Sequence, residues 1–353
     1  MTKTIQTAVM GVTGYAGAEL ARLLLHHPRL QGTAPVFAGR VSEKDAAQGG
    51  VPLAEIHPQL ADSKHHLTME PFSWDLLASR GVEVLFLATP HEQSREWVPE
   101  ALARGLRIID LSGAWRLTEA ANRAVYAFED KDPGVAAATQ AKAVYGMPEL
   151  HRAQIAGAQL VANPGCYATS VILPLRPLVA AGLLDLNHGI VVDSKSGVSG
   201  AGKSPTAKTH YMYAADNLSA YGAFTHRHTG ELLEQIGLGS EQITFTPHLL
   251  PIPRGILSTI YVRFSKKQTA ESIAQVYREF FGASPMVRLY DKALPQIQYS
   301  VHTNYADIGF QLAADGHRAV IVSCLDNLLK GASGQAVQNL NVMLGWGEAE
   351  GLE

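Results

Sequence analysis

The sequence predicts an α/β protein of two domains, and three observations carry that reading. Strand-like apolar runs alternate with helix-period segments over roughly the first 160 residues, the pattern of a parallel sheet with helices on its faces. From about Asn187 onward the pattern changes to strand-like runs between loops rich in Gly, Ser and Pro. The chain also has 353 residues, more than one hydrophobic core usually serves.

Taken in order, Thr4 to Met10 reads as the first strand. Gly17 to His27 follows as a helix, because Leu20, Leu23, Leu24 and Leu25 recur near helical period and Pro28 closes the run. Ala34 to Ala38 is the second strand; Val82 to Ala88 and Leu106 to Leu111 are further strands, with a helix from about Ser94 to Arg104 between them. Beyond Asn187, Gly189 to Asp193, Gln242 to Thr246 and Leu257 to Phe264 read as strands of a more antiparallel α+β domain. Asp326 to Leu344 returns to a helix rich in small residues.

Composition narrows the function classes. Hydrophobic residues make up 46% and charged residues 17%, ordinary for a globular enzyme, and the net charge is -3. With no long run of Lys or Arg, nucleic acid and anionic membrane surfaces are not expected partners. No apolar stretch reaches the roughly 20 residues that span a bilayer, and Thr7 to Met10 is too short for a signal-peptide core, so a cytoplasmic location is expected. Cys166 and Cys324 are the two cysteines, too few for a disulfide framework and without metal-type spacing.

Gly11, Gly14 and Gly17, with Thr13 and Tyr15 between them, lie at the turn from the first strand into its helix. Glycines there permit a tight turn and close backbone approach, so that a pyrophosphate can meet the helix N-terminus. A site that prefers the unphosphorylated dinucleotide usually ends its second strand in Asp or Glu, to grip the ribose 2'-hydroxyl. Here that strand ends in Gly39-Arg40. A guanidinium suits a 2'-phosphate, so the sequence points to NADP, with an exposed surface Arg as the plainer use of Arg40.

Cys166 stands in Asn163-Pro164-Gly165-Cys166-Tyr167, where a Pro-Gly turn leads into a helical pattern. A thiol at a helix N-terminus feels the dipole and several N–H groups, which favour the thiolate and can later hold an oxyanion. Cys324, among Ile321, Val322 and Leu325, reads instead as a small buried strand residue. A thiolate nucleophile needs a proton partner, and Thr225-His226-Arg227-His228-Thr229 offers two. That pair is not expected to bind metal, since Arg227 would repel a cation and no further ligand type clusters with it. Arg116, after Asp110-Leu111-Ser112, and Arg254, in Pro253-Arg254-Gly255, are candidate clamps for phosphate and carboxylate. Ser196 to Lys203 forms a small-residue loop able to wrap a substrate.

Together these segments resemble the N-acetyl-gamma-glutamyl-phosphate reductase family (long-chain type), within a wider group that includes aspartate-semialdehyde dehydrogenases. The matching stretches run nearly end to end. They are Gly11 to Gly17, Asp110 to Arg116, Tyr145 to Glu149, Asn163 to Tyr167, Ser196 to Gly202, His226 to Thr229, Pro247 to Gly255 and Asp326 to Ala336. The resemblance implies a doubly wound Rossmann domain (residues 1–163 plus 326–353) with an inserted α+β catalytic and oligomerisation domain (residues 164–325). It also implies a carboxy-terminal helix packed back on the first domain, and a dimer or tetramer.

Its implied chemistry is the NADPH-dependent reduction of an acyl phosphate through a cysteine thioester, in arginine biosynthesis. Cys166 is then the nucleophile, His228 the acid/base ahead of His226, Asn163 a further oxyanion donor and Arg116 the phosphate-binding Arg. Arg254, Lys203 and Ser196 bind substrate, and Asn327 holds the nicotinamide carboxamide. Two stretches depart from the family pattern. Thr229-Gly230-Glu231 stands for Thr-Pro-Glu, and Pro90-His91-Glu92-Gln93-Ser94 stands for Pro-His-Gly-Val-Ser, which leaves Pro90 as the recognisable cofactor contact of that loop. The same chemistry on aspartyl phosphate or a carrier-bound aminoadipyl phosphate is the near alternative. A non-catalytic NADP-binding regulator is the alternative from another class.

Overall fold

A computed structural model describes residues 5–61 and 67–353. The chain divides into two compact units: Met1–Arg116, Glu129–Asn163 and Ser333–Glu353 form one, and Leu117–Phe128 with Pro164–Ala332 the other.

The first unit is built on eight strands: β1 (Thr7–Met10), β2 (Val36–Gly39), β3 (Val51–Pro52), β4 (Thr68–Pro71), β5 (Val84–Leu87), β6 (Arg107–Asp110), β7 (Ala143–Tyr145) and β8 (Leu160–Ala162). Their spatial order is β3-β4-β2-β1-β5-β6-β8-β7, and every pairing is parallel except β3 with β4. The central strands β1 and β5 are buried along their whole length, which is why they read as unbroken apolar runs rather than alternating ones. From β1 the chain first builds outward through β2 to β4, then returns to lay β5 on the other side of β1. This reversal makes the carboxyl ends of β1 and β5 a switch point, the place where open α/β sheets bind ligands.

The second unit carries β9 (Ile190–Gly197), β10 (Ser219–Ala220), β11 (Ile243–Leu250), β12 (Ile256–Arg263), β13 (Val287–Tyr290), β14 (Ala306–Leu312) and β15 (Arg318–Leu325), in the order β10-β11-β9-β12-β15-β14-β13. The sheet is mixed: β9 with β11 and β13 with β14 are parallel, the remaining pairs antiparallel. The helices Cys166–Ala180 and Ala270–Phe281 cover one face. Accordingly β12 alternates buried and more exposed residues along its length.

Several boundaries differ from the sequence reading. The first strand starts at Thr7 rather than Thr4, and Thr4 lies outside the described residues. The first helix starts at Tyr15, because Gly14 takes the extended backbone of an N-cap and the turn is shorter than expected. The helix expected from Ser94 begins at His91, directly after Pro90. The largest correction concerns Asp326 to Leu344, read as one helix. Asp326 accepts the N–H groups of Leu328 and Leu329 on Oδ1, a π-helical turn spans Leu329–Ser333, and the α-helix runs only over Gly334–Met343. That helix is buried on all sides, polar residues included. Gln335 and Asn339 donate to the Gly146 carbonyl at 2.9 and 2.8 Å, and Asn341 donates to the carbonyls of Glu348 and Glu350.

Candidate active site

In the second unit the Cys166–Ala180 helix begins at Cys166 itself. Gly165 is its N-cap, with extended backbone and no side-chain cap, and no acidic side chain occupies the first turn. The dipole and first-turn N–H groups therefore act on the Cys166 thiol. Instead of a local cap, Glu231 reaches in from the Thr229–Ile236 helix and accepts the Gly165 N–H at 2.9 Å. Two glycines make room at this point. A Cβ on Gly331 would lie 2.7 Å from the Cys166 Cβ, and one on Gly165 would lie 2.4 Å from Nε2 of His228.

The two histidines are held differently. His226 packs edge-on against Tyr167, Tyr221 and Phe245, and its Nδ1 accepts the backbone N–H of His228 at 3.2 Å. Burial, then the charge of Arg227, pushes its pKa down to about 4, so it is neutral near pH 7. The Nε2 of His228 lies 4.0 Å from the Glu231 carboxylate, and the two rings are 4.8 Å apart between centroids. Cys166, His226 and His228 line a cavity of about 620 Å³ together with Ser196, Arg227 and Lys208. Tyr167 closes it from behind, its hydroxyl donating to the His248 carbonyl at 2.7 Å.

Other predicted residues of this unit do not line the cavity. Lys203 is exposed on the loop after β9. Arg254 donates to the buried Asp326 carboxylate at 3.3 Å and stands 3.3 Å from Nδ1 of His302. Asn327 joins two loops, accepting the Gly255 N–H at 2.8 Å and donating to the Ser199 hydroxyl at 2.9 Å. Gly230, where the family pattern has Pro, faces Leu117 and Asn122 so closely that even a Cβ would sit 3.0 Å from each. Cys324 is fully buried in β15, and burial drives its thiol far up from its ordinary pKa, so the reading of it as a core residue stands on its surroundings.

In the first unit the glycine turn fits a dinucleotide. Gly11 has φ +86°, and a Cβ there would come 2.3 Å from the Ala88 carbonyl oxygen at the end of β5; a Cβ on Gly17 would come 2.2 Å from the Gly11 oxygen. Only glycine permits both approaches, which leave the first-turn N–H groups of the Tyr15–His26 helix without carbonyls of their own helix to bond. The buried His57 braces the turn through the Val12 carbonyl at 2.8 Å. Thr13 and Tyr15 are exposed on it, Pro90 N-caps the next helix, and exposed Arg40 directly follows β2. The altered loop after Pro90 keeps its anchor: Ser94 donates to Asp110 at 2.8 Å and accepts the Trp115 Nε1–H at 3.0 Å. Arg116 is buried and gives Nε to the Asn163 carbonyl at 2.7 Å and Nη2 to the Leu111 carbonyl at 2.8 Å. The side-chain oxygen of Asn163 accepts from Asn339 at 3.0 Å.

Sequence reasoning missed Glu231, Lys208 and Tyr221. Glu231 had a signal in the His-Thr-Gly-Glu run, but nothing local tells that its carboxylate turns inward. Among the described residues no three His, Cys, Asp or Glu side chains gather as metal ligands, and no helix is long and apolar enough to cross a membrane.

The fold and its two matched domains define an oxidoreductase of the semialdehyde dehydrogenase class with an NAD(P)-binding domain. Residues 6–158 match the family described as "Semialdehyde dehydrogenase, NAD binding domain", and residues 166–327 match "Semialdehyde dehydrogenase, dimerisation domain". In fold the chain is similar to aspartate semialdehyde dehydrogenase II from Vibrio cholerae (TM-score 0.70, 17% identity, 98% of this chain and 99% of that one). It is likewise similar to the NADP complex of the Candida albicans aspartate semialdehyde dehydrogenase (TM-score 0.66, 15% identity, 97% and 98%). By sequence, the chain belongs to the N-acetyl-gamma-glutamyl-phosphate reductase family. It is 41% identical to the Dehalococcoides mccartyi reductase over 99% of this chain and 98% of that one. The corresponding figures are 40%, 98% and 97% for the Methanocaldococcus jannaschii reductase, and 42%, 99% and 98% for that of Desulfotalea psychrophila.

Proposed function

We propose that this enzyme reduces N-acetyl-gamma-glutamyl phosphate to N-acetylglutamate 5-semialdehyde and phosphate, with NADPH, through a thioester on Cys166, as a cytoplasmic step of arginine biosynthesis. The observation that carries the reading is the cavity that a helix-start cysteine and His228 line together with Ser196, Arg227 and Lys208. Near-full-length relatives named for this activity support the substrate.

Cys166 Sγ, its proton transferred to His228, attacks the acyl carbon, and the C–O bond to phosphate breaks as the thioester forms. The helix-start N–H groups face the tetrahedral oxyanion, a contribution of roughly 3 to 4 kcal/mol per donor in comparable sites. When bound, the dinucleotide supplies a hydride to the acyl carbon. His228 then returns its proton to the departing thiolate as the aldehyde leaves. His228 fits this part better than His226, which is buried and resists protonation. Arg116 is the proposed phosphate group, with Asn163 as a further oxyanion donor. Arg254, Lys203 and Ser196 are proposed to serve the rest of the substrate, and Asn327 the nicotinamide.

Selectivity for NADP rests on Arg40 directly after β2, a strand that ends in Gly39-Arg40 rather than in Asp or Glu. The proposed division of labour is a cofactor domain (residues 1–163 plus 326–353) and a catalytic domain (residues 164–325). The match to a dimerisation domain supports assembly into a dimer or tetramer. The test is the reverse reaction. With phosphate and NADP, N-acetylglutamate semialdehyde should give NADPH at a rate at least tenfold above aspartate semialdehyde; preference for the latter would overturn the substrate assignment.

A further inference from the structure

Between β2 and β4 the chain makes an excursion through β3 that the proposed reaction does not use. Within it His57 is fixed on both sides of its own backbone. Its N–H donates to the Leu53 carbonyl at 2.8 Å, its carbonyl accepts the Leu60 N–H at 2.9 Å, and Leu53 and Leu60 are buried. The imidazole is buried too, and its Nε2 lies 2.8 Å from the Val12 carbonyl oxygen, in the middle of the glycine turn.

We infer that His57 is a positioning residue of the dinucleotide site: by holding the Val12 carbonyl it sets the plane of the Val12–Thr13 peptide, and so aims the Thr13 N–H at the pyrophosphate. This rests on the matched dinucleotide-binding domain and not on the choice of substrate.

A carbonyl only accepts, so the bond requires the proton on Nε2 of His57. Val12 is fully buried, and its carbonyl therefore needs a donor from the protein rather than from water. Neither ladder supplies one by position, since β1 ends at Met10 and the helix starts at Tyr15. In a planar trans peptide the C=O and the following N–H point in opposite directions. A Val12 carbonyl turned inward to His57 thus sends the Thr13 N–H outward, to the side of the turn on which Thr13 and Tyr15 are exposed. Backbone N–H groups facing that way, beside a helix start, are what a pyrophosphate binds. His57 touches the cofactor only through this peptide, which makes it a support for the site and not a ligand.

His57→Phe tests this, because a ring of similar shape remains and the donor is gone. In fluorescence titrations of the intact enzyme, NADPH and NADH should each bind about 10- to 100-fold more weakly, the scale of a lost hydrogen bond to a charged group. Both should lose alike, since the pyrophosphate is common to them. The KM for NADPH should rise far more than kcat falls. His57→Gln, whose amide nitrogen can still donate to Val12, should restore most of the affinity. A folded His57→Phe enzyme that binds both cofactors as wild type does, even with a lowered Tm, overturns the inference and leaves His57 a purely structural part. A loss confined to NADPH overturns it as well. Should His57→Phe not fold, nitrogen-15 spectra of the histidine-labelled wild-type enzyme decide. The His57 ring should carry its proton on Nε2 and shift when NADP is added, because a pyrophosphate bound at the Thr13 N–H polarises the peptide whose carbonyl it holds. A ring protonated on Nδ1 alone, or one that NADP leaves unmoved, overturns the inference.

Discussion

Gly331→Ala puts the site's packing to the test. The new methyl would lie 2.7 Å from the Cys166 Cβ, 3.2 Å from its Cα and 3.3 Å from the Asp326 carbonyl oxygen. Ordinary contact begins at 3.4 Å, so the two Cβ atoms must part by about 0.7 Å. Neither is the loose end of a side chain: one belongs to the first residue of the Cys166–Ala180 helix, the other to the π-helical turn Leu329–Ser333. Overpacking of this kind costs about 1 to 3 kcal/mol, and a displacement near 1 Å at the nucleophile costs on the order of 100-fold in rate. At about 2 to 4 °C per kcal/mol, Tm should fall by several degrees, and kcat should drop roughly 10- to 100-fold. Calorimetry and steady-state kinetics measure the two; Gly157→Ala is the control, since a Cβ there meets nothing within 4 Å. A Gly331→Ala enzyme with wild-type Tm and kcat would refute the packing argument.

Arg40→Asp should weaken NADPH binding at least tenfold more than NADH binding, since it replaces an attraction to the 2'-phosphate by a repulsion; fluorescence titration with both cofactors tests it, and equal losses would place Arg40 outside the site. His228→Asn should lower kcat about 100-fold with little change in KM, and His226→Asn should cost less; the opposite order in steady-state kinetics would invert the assignment within the pair. His226 also predicts a pH dependence of stability. It is held near 4 in the folded protein, against about 6.5 in an unfolded chain, so acidification loads a proton onto the unfolded state first. Stability should therefore fall as pH drops from about 6.5 toward 4, and His226→Asn should flatten that part of a urea-denaturation series; an unchanged slope would mean that the ring is solvated.

The first domain was legible because its strands are buried on both faces and its turn glycines stand where backbone crowds backbone, both of which leave marks in a single sequence. Cys166 was legible for a similar reason: a Pro-Gly turn before an apolar helix announces a helix start. The second sheet was less so. Its parallel pairs, β9 with β11 and β13 with β14, join strands far apart in the chain, which local patterning does not encode. The residues of Gly334–Met343 are buried whatever their polarity, so periodicity could not show which partners absorb Gln335, Asn339 and Asn341. Arg254 and Asn327 stand out in sequence as candidate ligand contacts, while their bonds to Asp326, Gly255 and Ser199 join segments far apart in the chain and show only in coordinates. Glu231 was seen in its motif but given no role, because a glutamate in the first turn of a helix ordinarily serves the dipole and faces solvent.

The central claim, that catalysis runs through a thioester on Cys166, is tested most directly by mixing the enzyme with N-acetyl-gamma-glutamyl phosphate in the absence of NADPH, quenching in acid and mapping the acylated peptide. The account predicts one acyl group per chain, on the peptide that carries Cys166 and cleavable by hydroxylamine. Cys166→Ala should carry none and show no turnover, while still binding NADPH. Acyl transfer to another residue, or turnover by Cys166→Ala above about a hundredth of the wild-type rate, would contradict it.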